Sequence, residues 1–386
     1  MSRPYEAQSC NKATRPTEVS LKDAKWAFTT RRVERDVVRL LLPDIDHATA
    51  GDLVLCEVLA VGQHKRVQIT SGRPSELYVG DRIVLVCGAR YAPDQFEADA
   101  ALDAEGSDMV AGGGIVGCAR ASHDRMGAPT RVRPLGRLGR EDGTALSVSQ
   151  FALPERSTGA DRPNVIAVVG SSMNAGKTTV AASLARGLAH AGLKTGGAKI
   201  TGTGAFGDYN AFLDAGISDI VDFTDAGVPS TYRQPLSRIE TIAETLVAEI
   251  GSRGCEVAVV ELADGVFQEE TAALMRSARF AELCDGVVFA AADALGAATG
   301  VERVRAAGLP LLAVSGLLSR SPLAMAEAER ETNVPCLTRD KLLDPATALG
   351  LLRACLKDDG VELDACSLSA TPGRTVTTDH AVRTAA

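Results

Sequence analysis

The chain has 386 residues, enough for two domains with sizeable cores. Its 45% hydrophobic and 23% charged residues are the composition of an ordinary globular protein. The formal net charge of -8 argues against DNA or RNA as the main partner, because nucleic-acid binding draws on clustered Lys and Arg that displace counterions. No uninterrupted apolar run reaches the roughly 18 residues of a helical membrane span, so no membrane partner is expected.

Residues 1–30 are polar, without the apolar core of a signal peptide, and predict a flexible N-terminal arm whose end Trp26 and Phe28 pin to the body. Residues 31–154 carry short Val/Leu/Ile runs cut by glycine: "GDLVLCEVLAVG" from Gly51, "GDRIVLVCGARYA" from Gly80 and "MVAGGGIVGCA" from Met109. Such runs read as strands and predict a smaller β-rich domain, a barrel or a sandwich. Within it, "GARYAPDQFEAD" crowds Arg90, Tyr91, Asp94, Gln95 and Glu97 into a loop. Two readings stand: a recognition loop placing Arg90 and Tyr91 on a substrate across a domain interface, or a loop that docks the domains. Gly112–Gly114 read as a bulge or close backbone approach, since no helix with a lysine follows.

Residues 155–163 have the polar, Pro/Gly-containing composition of a linker. From 164 to 357 the rhythm changes. Strands at Val165–Val169, Thr195–Ile200, Glu256–Glu261, Gly286–Ala292 and Leu311–Val314 alternate with helix-length amphipathic segments. That alternation predicts an α/β fold, a parallel sheet between helices. The tail, 358–386, is rich in Thr, Ser and Ala without periodicity and reads as disordered. Nine scattered cysteines with no C-x-x-C pair predict reduced thiols in a cytoplasmic protein rather than a zinc site or disulfide framework.

The chemistry concentrates in "NVIAVVGSSMNAGKTTVAASLARGL". A buried strand ends at Gly170, and a helix with Val180, Leu184 and Leu188 on one face follows. A loop turning from strand to helix aims successive N–H groups at one point, where a phosphate can sit. Gly170, Ser172, Asn174, Ala175, Gly176 and Thr179 are therefore expected around the phosphates. Lys177 reaches the transferred phosphoryl group, and Thr178 offers its hydroxyl to Mg²⁺.

Ligands of parallel sheets lie at the carboxyl ends of strands. Lys199 in "KITGTG" and Glu261 in "VAVVELADG" end two such strands. Lys199 is expected to join Lys177 on the phosphate, and Glu261 to hold Mg²⁺. Asp264 shares that work or contacts substrate. Asp208 and Asp225, in a glycine-rich stretch with Thr203, are chosen respectively for metal binding and catalysis, with Thr203 beside the substrate.

The spacing of five residues between Gly170 and Gly176 resembles the loop of dethiobiotin synthetases and of a P-loop family that includes D-glutamate N-acetyltransferases. Both belong to the nitrogenase-iron-protein-like branch of P-loop proteins. The resemblance spans about Asn164 to Thr338 and leaves the N-terminal half uncovered. It implies that Lys199 faces the phosphates, that Glu261, Asp264 and Gly265 follow a central strand, and that a residue at the end of the last strand reads the base. This chain has Ser315 there, where dethiobiotin synthetases usually have asparagine. It also implies a homodimer.

These residues predict Mg²⁺-ATP-dependent phosphoryl transfer to a small acidic or amino-acid-like metabolite, by a kinase or ligase. Two other classes remain open at this point. One is an accessory protein that hydrolyses GTP or ATP, resembling the partner in molybdopterin-dinucleotide synthesis. The other is a coenzyme A-dependent N-acyltransferase.

Overall fold

The computed structural model describes residues 15–159 and 162–356. The first 14 residues of the expected arm and the expected tail, 358–386, lie outside the described residues.

The N-terminal part is a nine-stranded sheet. Five strands close on themselves. Leu53–Ala60 pairs with both Thr130–Gly139 and Arg82–Cys87, Arg82–Cys87 pairs with Ile115–Ser122, and Ser107–Ala111 joins Ile115–Ser122 back to Thr130–Gly139. The closed ring is a barrel, and closure leaves these five strands without a free edge. Alternate residues point inward, as period-2 patterning requires: Val54, Cys56, Val58, Ile83, Leu85, Cys87 and Met109 share one core cluster.

The end of the N-terminal arm, where Trp26 and Phe28 were expected to pin it, is packed on the body. Lys25–Trp26 pairs parallel to Arg82–Cys87, and Trp26 to Thr30 are buried. The cause is apolar: Trp26 packs with Val33, Val84 and Val86, and Phe28 meets the rings of Phe206 and Tyr209.

The second sheet has six parallel strands: β1 (Asn164–Gly170), β2 (Thr195–Thr201), β3 (Ile220–Asp222), β4 (Val257–Leu262), β5 (Gly286–Ala290) and β6 (Leu311–Ser315). Their order is β3-β2-β4-β1-β5-β6. Helix α1 (Lys177–His190) covers one face and α3 (Leu236–Ser252) the other. Alternating residues of β1 divide between two cores. Ile166 and Val168 join Val180, Leu184 and Leu188 of α1, while Val165, Ala167 and Val169 join Ile242 and Leu246 of α3. Strands buried on both faces explain the near-continuous apolar runs in the sequence.

The two parts meet along an extended contact. Gly113 lies against the backbone of Gly204, where a Cβ would fall 1.9 Å from the Gly204 carbonyl oxygen, so Gly112–Gly114 is a close approach. Arg31 reaches across to Asp222 and Asp225. Tyr232 donates to Glu97, and Arg233 pairs with Asp99. Seven cysteines among the described residues are free thiols, and no described helix is long and apolar enough to cross a membrane.

Candidate functional site

The loop between β1 and α1 lies at the carboxyl edge of the parallel sheet, the P-loop arrangement. β1 ends on Gly170, and Gly176 caps α1 with φ +98°, a conformation that favours glycine. A Cβ on Gly176 would also meet the Cα of Gly316 at 3.2 Å. Ala175 is buried, and its carbonyl accepts from the Leu317 amide at 3.0 Å, tying the loop to the chain after β6. The Lys177 ammonium folds back over the loop, donating to the carbonyls of Ser172 (2.8 Å) and Asp264. Burial lowers the pKa of Lys177.

Four functional groups gather beside it. The Thr178 hydroxyl lies 2.8 Å from Asp208 Oδ1 and 3.1 Å from Glu261 Oε1, and Lys199 pairs with the other oxygen of Asp208. The sheet register brings them together. Lys199 of β2 and Val168 of β1 both align with Glu261 of β4, so the two strand ends face each other beside the loop. Helix α2 (Phe206–Asp214) starts just beyond β2 and supplies Asp208 from its first turn.

Burial and the Asp208 charge push Glu261 up to about 7. Burial would lower Lys199, but Asp208 and Glu261 outweigh it and hold the ammonium above its ordinary range. A cavity of about 350 Å³ opens over Lys177, Thr178, Lys199, Asp208, Glu261 and Asp264.

Two further cavities flank the loop. One, of about 350 Å³, lies beyond Thr179 and is walled by Val180, Ser315, Leu317, Arg320 and Arg339. The other, of about 340 Å³, lies between the loop and the β-rich region, among Tyr91, Asp94, His123, Asn174, Asp264 and Gln268. Thr203 lines a small crevice next to it, with Tyr91 and Asp264.

The structure thus places Lys177, Thr178, Lys199, Asp208, Glu261 and Asp264 together, with the loop residues Gly170, Ser172 and Asn174 around them. Two expectations are corrected. Asp225 is not at the lysines: it is buried at the sheet edge, accepting from Arg31 at 2.6 Å and from the Asp222 amide. β3 has only three residues, so the turn that follows it carries Asp225 toward the β-rich region instead of the phosphate loop.

Arg90 is a buried structural residue rather than an exposed loop contact. It is 5% exposed and donates to the Val110 carbonyl and to Gln95, and burial lowers it to about 10. Ser315 lines the second cavity, and its hydroxyl donates to the Leu337 carbonyl at 2.7 Å. Tyr91 does reach the interface, with its ring 5.5 Å from that of Tyr232.

Sequence reasoning did not assign Arg31, and no local signal marks it, because its partners lie more than 190 positions away. Asp94 was noted in its loop but given no partner. It accepts from the Asn174 amide group at 2.8 Å.

No protein-family model and no curated protein matches the chain. Among solved structures, the 54 kDa signal recognition particle protein of Aeropyrum pernix K1, in complex with GDP, is 19% identical over 54% of this chain, with a TM-score of 0.33. The chain covers 53% of that protein's length. The signal recognition particle receptor FtsY of Elizabethkingia anophelis is also 19% identical, over 54% of this chain and 70% of its own, with a TM-score of 0.34. A DUF1611 family protein of Anabaena variabilis is 14% identical over 53% and 61%, with a TM-score of 0.36. Similarity at this level assigns no ligand or activity.

Proposed function

We propose that the chain binds a Mg²⁺–nucleoside triphosphate in the Gly170–Thr178 loop and transfers or hydrolyses its terminal phosphoryl group. The observation that carries this reading is the convergence of Lys177, Thr178, Lys199, Asp208 and Glu261 on one cavity at the mouth of the loop. Glu261 Oε2 is buried without a hydrogen-bond partner, at a residue only 2% exposed. Leaving a buried carboxylate oxygen unpaired is costly, and a hydrated cation would satisfy it.

No group of three or more His, Cys, Asp or Glu among the described residues is arranged to hold a metal alone. Mg²⁺ is usually bound through one or two carboxylates together with substrate phosphates. Thr178, Asp208 and Glu261 would hold it, and it would neutralise phosphate charge. Lys177 would exchange its carbonyl contacts for phosphate oxygens. Lys199, held by Asp208, would face the same group, so two ammonium charges are aimed where charge develops in the transition state.

The nucleoside fits the cavity of Val180, Leu317 and Arg339, whose apolar walls and polar rim suit a base and ribose. The acceptor fits the opposite cavity, where Tyr91, Asp264 and Gln268 lie next to the loop. A small metabolite there makes the chain a kinase or ligase. The five-residue loop spacing and Lys199 support a place in the dethiobiotin-synthetase-like branch, and a homodimer is proposed by the same analogy.

Thermal unfolding of the full chain with Mg²⁺ and ATP, GTP or coenzyme A tests this reading. A ligand at about one hundred times its dissociation constant stabilises the fold by about 2.7 kcal/mol. ATP or GTP should raise the unfolding temperature of the wild type and not that of Lys177→Ala. Stabilisation by coenzyme A alone, or an unchanged response in Lys177→Ala, would reject it.

A further inference from the structure

The β-rich region sends one side chain directly to the phosphate loop. Asp94 Oδ2 accepts from Asn174 Nδ2 at 2.8 Å. Asn174 has φ +65°, in the left-handed region that asparagine tolerates better than most residues. It lies two residues before Gly176 and three before Lys177.

Asp94 sits in a turn whose two ends are clamped: the chain returns at Phe96–Asp99, and the Arg90 and Ala98 backbones bond to each other in both directions, at 3.0 and 2.9 Å. Arg90, buried, donates to the Val110 carbonyl of the barrel and to Gln95, the residue after Asp94, and so ties this turn to the barrel. Asp264 lends its carbonyl to Lys177. Two aspartates therefore touch this stretch, Asp94 through the Asn174 side chain and Asp264 through its carbonyl to Lys177.

We propose that Asp94 is a positioning residue for the phosphate loop: by holding Asn174 it fixes the path of Ser172 to Gly176, so that the loop is ordered only while the β-rich region is docked. The Arg31, Tyr232 and Arg233 contacts maintain that docking. Arg90 acts one step further back, through its bond to Gln95, the residue after Asp94. The effect on nucleotide affinity rests on the function proposed above, whereas the effect on loop order does not.

The test uses the full chain as wild type, Asp94→Ala, Asn174→Gly and the double variant. Glycine is chosen because it keeps the positive φ accessible. Two readouts are taken: hydrogen exchange of the peptide spanning Ser171–Lys177 without nucleotide, and the Kd of Mg²⁺–mant-ATP and Mg²⁺–mant-GTP.

Asp94→Ala should speed exchange in that peptide while the unfolding temperature stays near wild type. Each single substitution should weaken the tighter nucleotide about fivefold, the lower end of the usual coupling range. The double variant should be no weaker than the worse single one, because both remove the same interaction. Unchanged exchange in Asp94→Ala, or losses that multiply in the double variant, overturns the proposal. If the wild type binds neither nucleotide, the proposed function falls, and the exchange measurement still decides the positioning role.

Discussion

Arg31→Met tests how firmly the two parts are held together. Arg31 reaches Asp222 at 2.8 Å and Asp225 at 2.6 Å, with side-chain exposures of 13%, 5% and 8%. Its guanidinium also lies 4.3 Å from the Phe28 ring centre and 5.3 Å from that of Tyr209. Methionine keeps much of the packing volume but removes the closest cation from two buried carboxylates, leaving Thr224 as donor to Asp222 and Arg32, at 4.0 Å, beside Asp225. Removing one partner of a buried pair costs about 3–5 kcal/mol, and each lost ring contact adds roughly 0.5–1 kcal/mol.

The loss should depend on pH. Burial already holds Asp225 above the ordinary carboxylate range, with Arg31 opposing it. Without Arg31 the folded-state value of Asp225 rises further above the unfolded one. A raised carboxyl favours the protonated folded state, so its penalty is absent below the unfolded value and grows as pH rises through the folded value. The deficit of Arg31→Met should therefore be larger at pH 8 than at pH 5.

Urea unfolding followed by Trp26, the single tryptophan, reads the β-rich region directly, since that residue is buried in it. A deficit below about 1 kcal/mol at pH 8, the level of an exposed pair, would refute the claim that this contact is a buried lock.

Other perturbations separate site from scaffold. Glu261→Gln should raise the Mg²⁺ concentration needed for half-maximal turnover at least about tenfold, measured by magnesium titration of phosphate release. Gly176→Ala forces a Cβ toward Gly316 at positive φ and should abolish stabilisation by nucleotide in the thermal assay. Phe212→Ala removes a fully buried ring that α2 packs against Gly197 of β2 and should destabilise by about 3–5 kcal/mol in denaturant titration, with no direct loss of nucleotide contacts. Burial and the nearby Arg90 charge lower His64 to about 4. The folded state prefers its neutral form, so stability present above pH 6.5 should fall by up to about 3 kcal/mol as pH drops toward 4. His64→Gln should flatten that slope in acid unfolding curves.

What the sequence determined by itself was everything set by local pattern. Alternating apolar runs and amphipathic segments were enough for the parallel sheet, because strands buried on both faces must be apolar throughout. The Gly170–Thr178 spacing was enough for the phosphate loop, because its geometry depends on consecutive residues. Lys199 and Glu261 were legible because each ends an apolar strand, and the carboxyl edge of a parallel sheet is one place.

The tertiary structure decided what depends on pairing between distant segments. Ile220–Asp222 is too short to show periodicity, so its place at the sheet edge, and the turn that carries Asp225 away from the lysines, could not be read. Arg90 looked like a substrate contact because a charged residue in a loop is usually exposed, but the return of Phe96–Asp99 buries it. Closure of the barrel rests on ladders between strands up to some 80 positions apart. The bond between Asp94 and Asn174 links residues 80 positions apart that carry no mutual signal in one dimension, and it is this bond that joins the β-rich region to the phosphate loop.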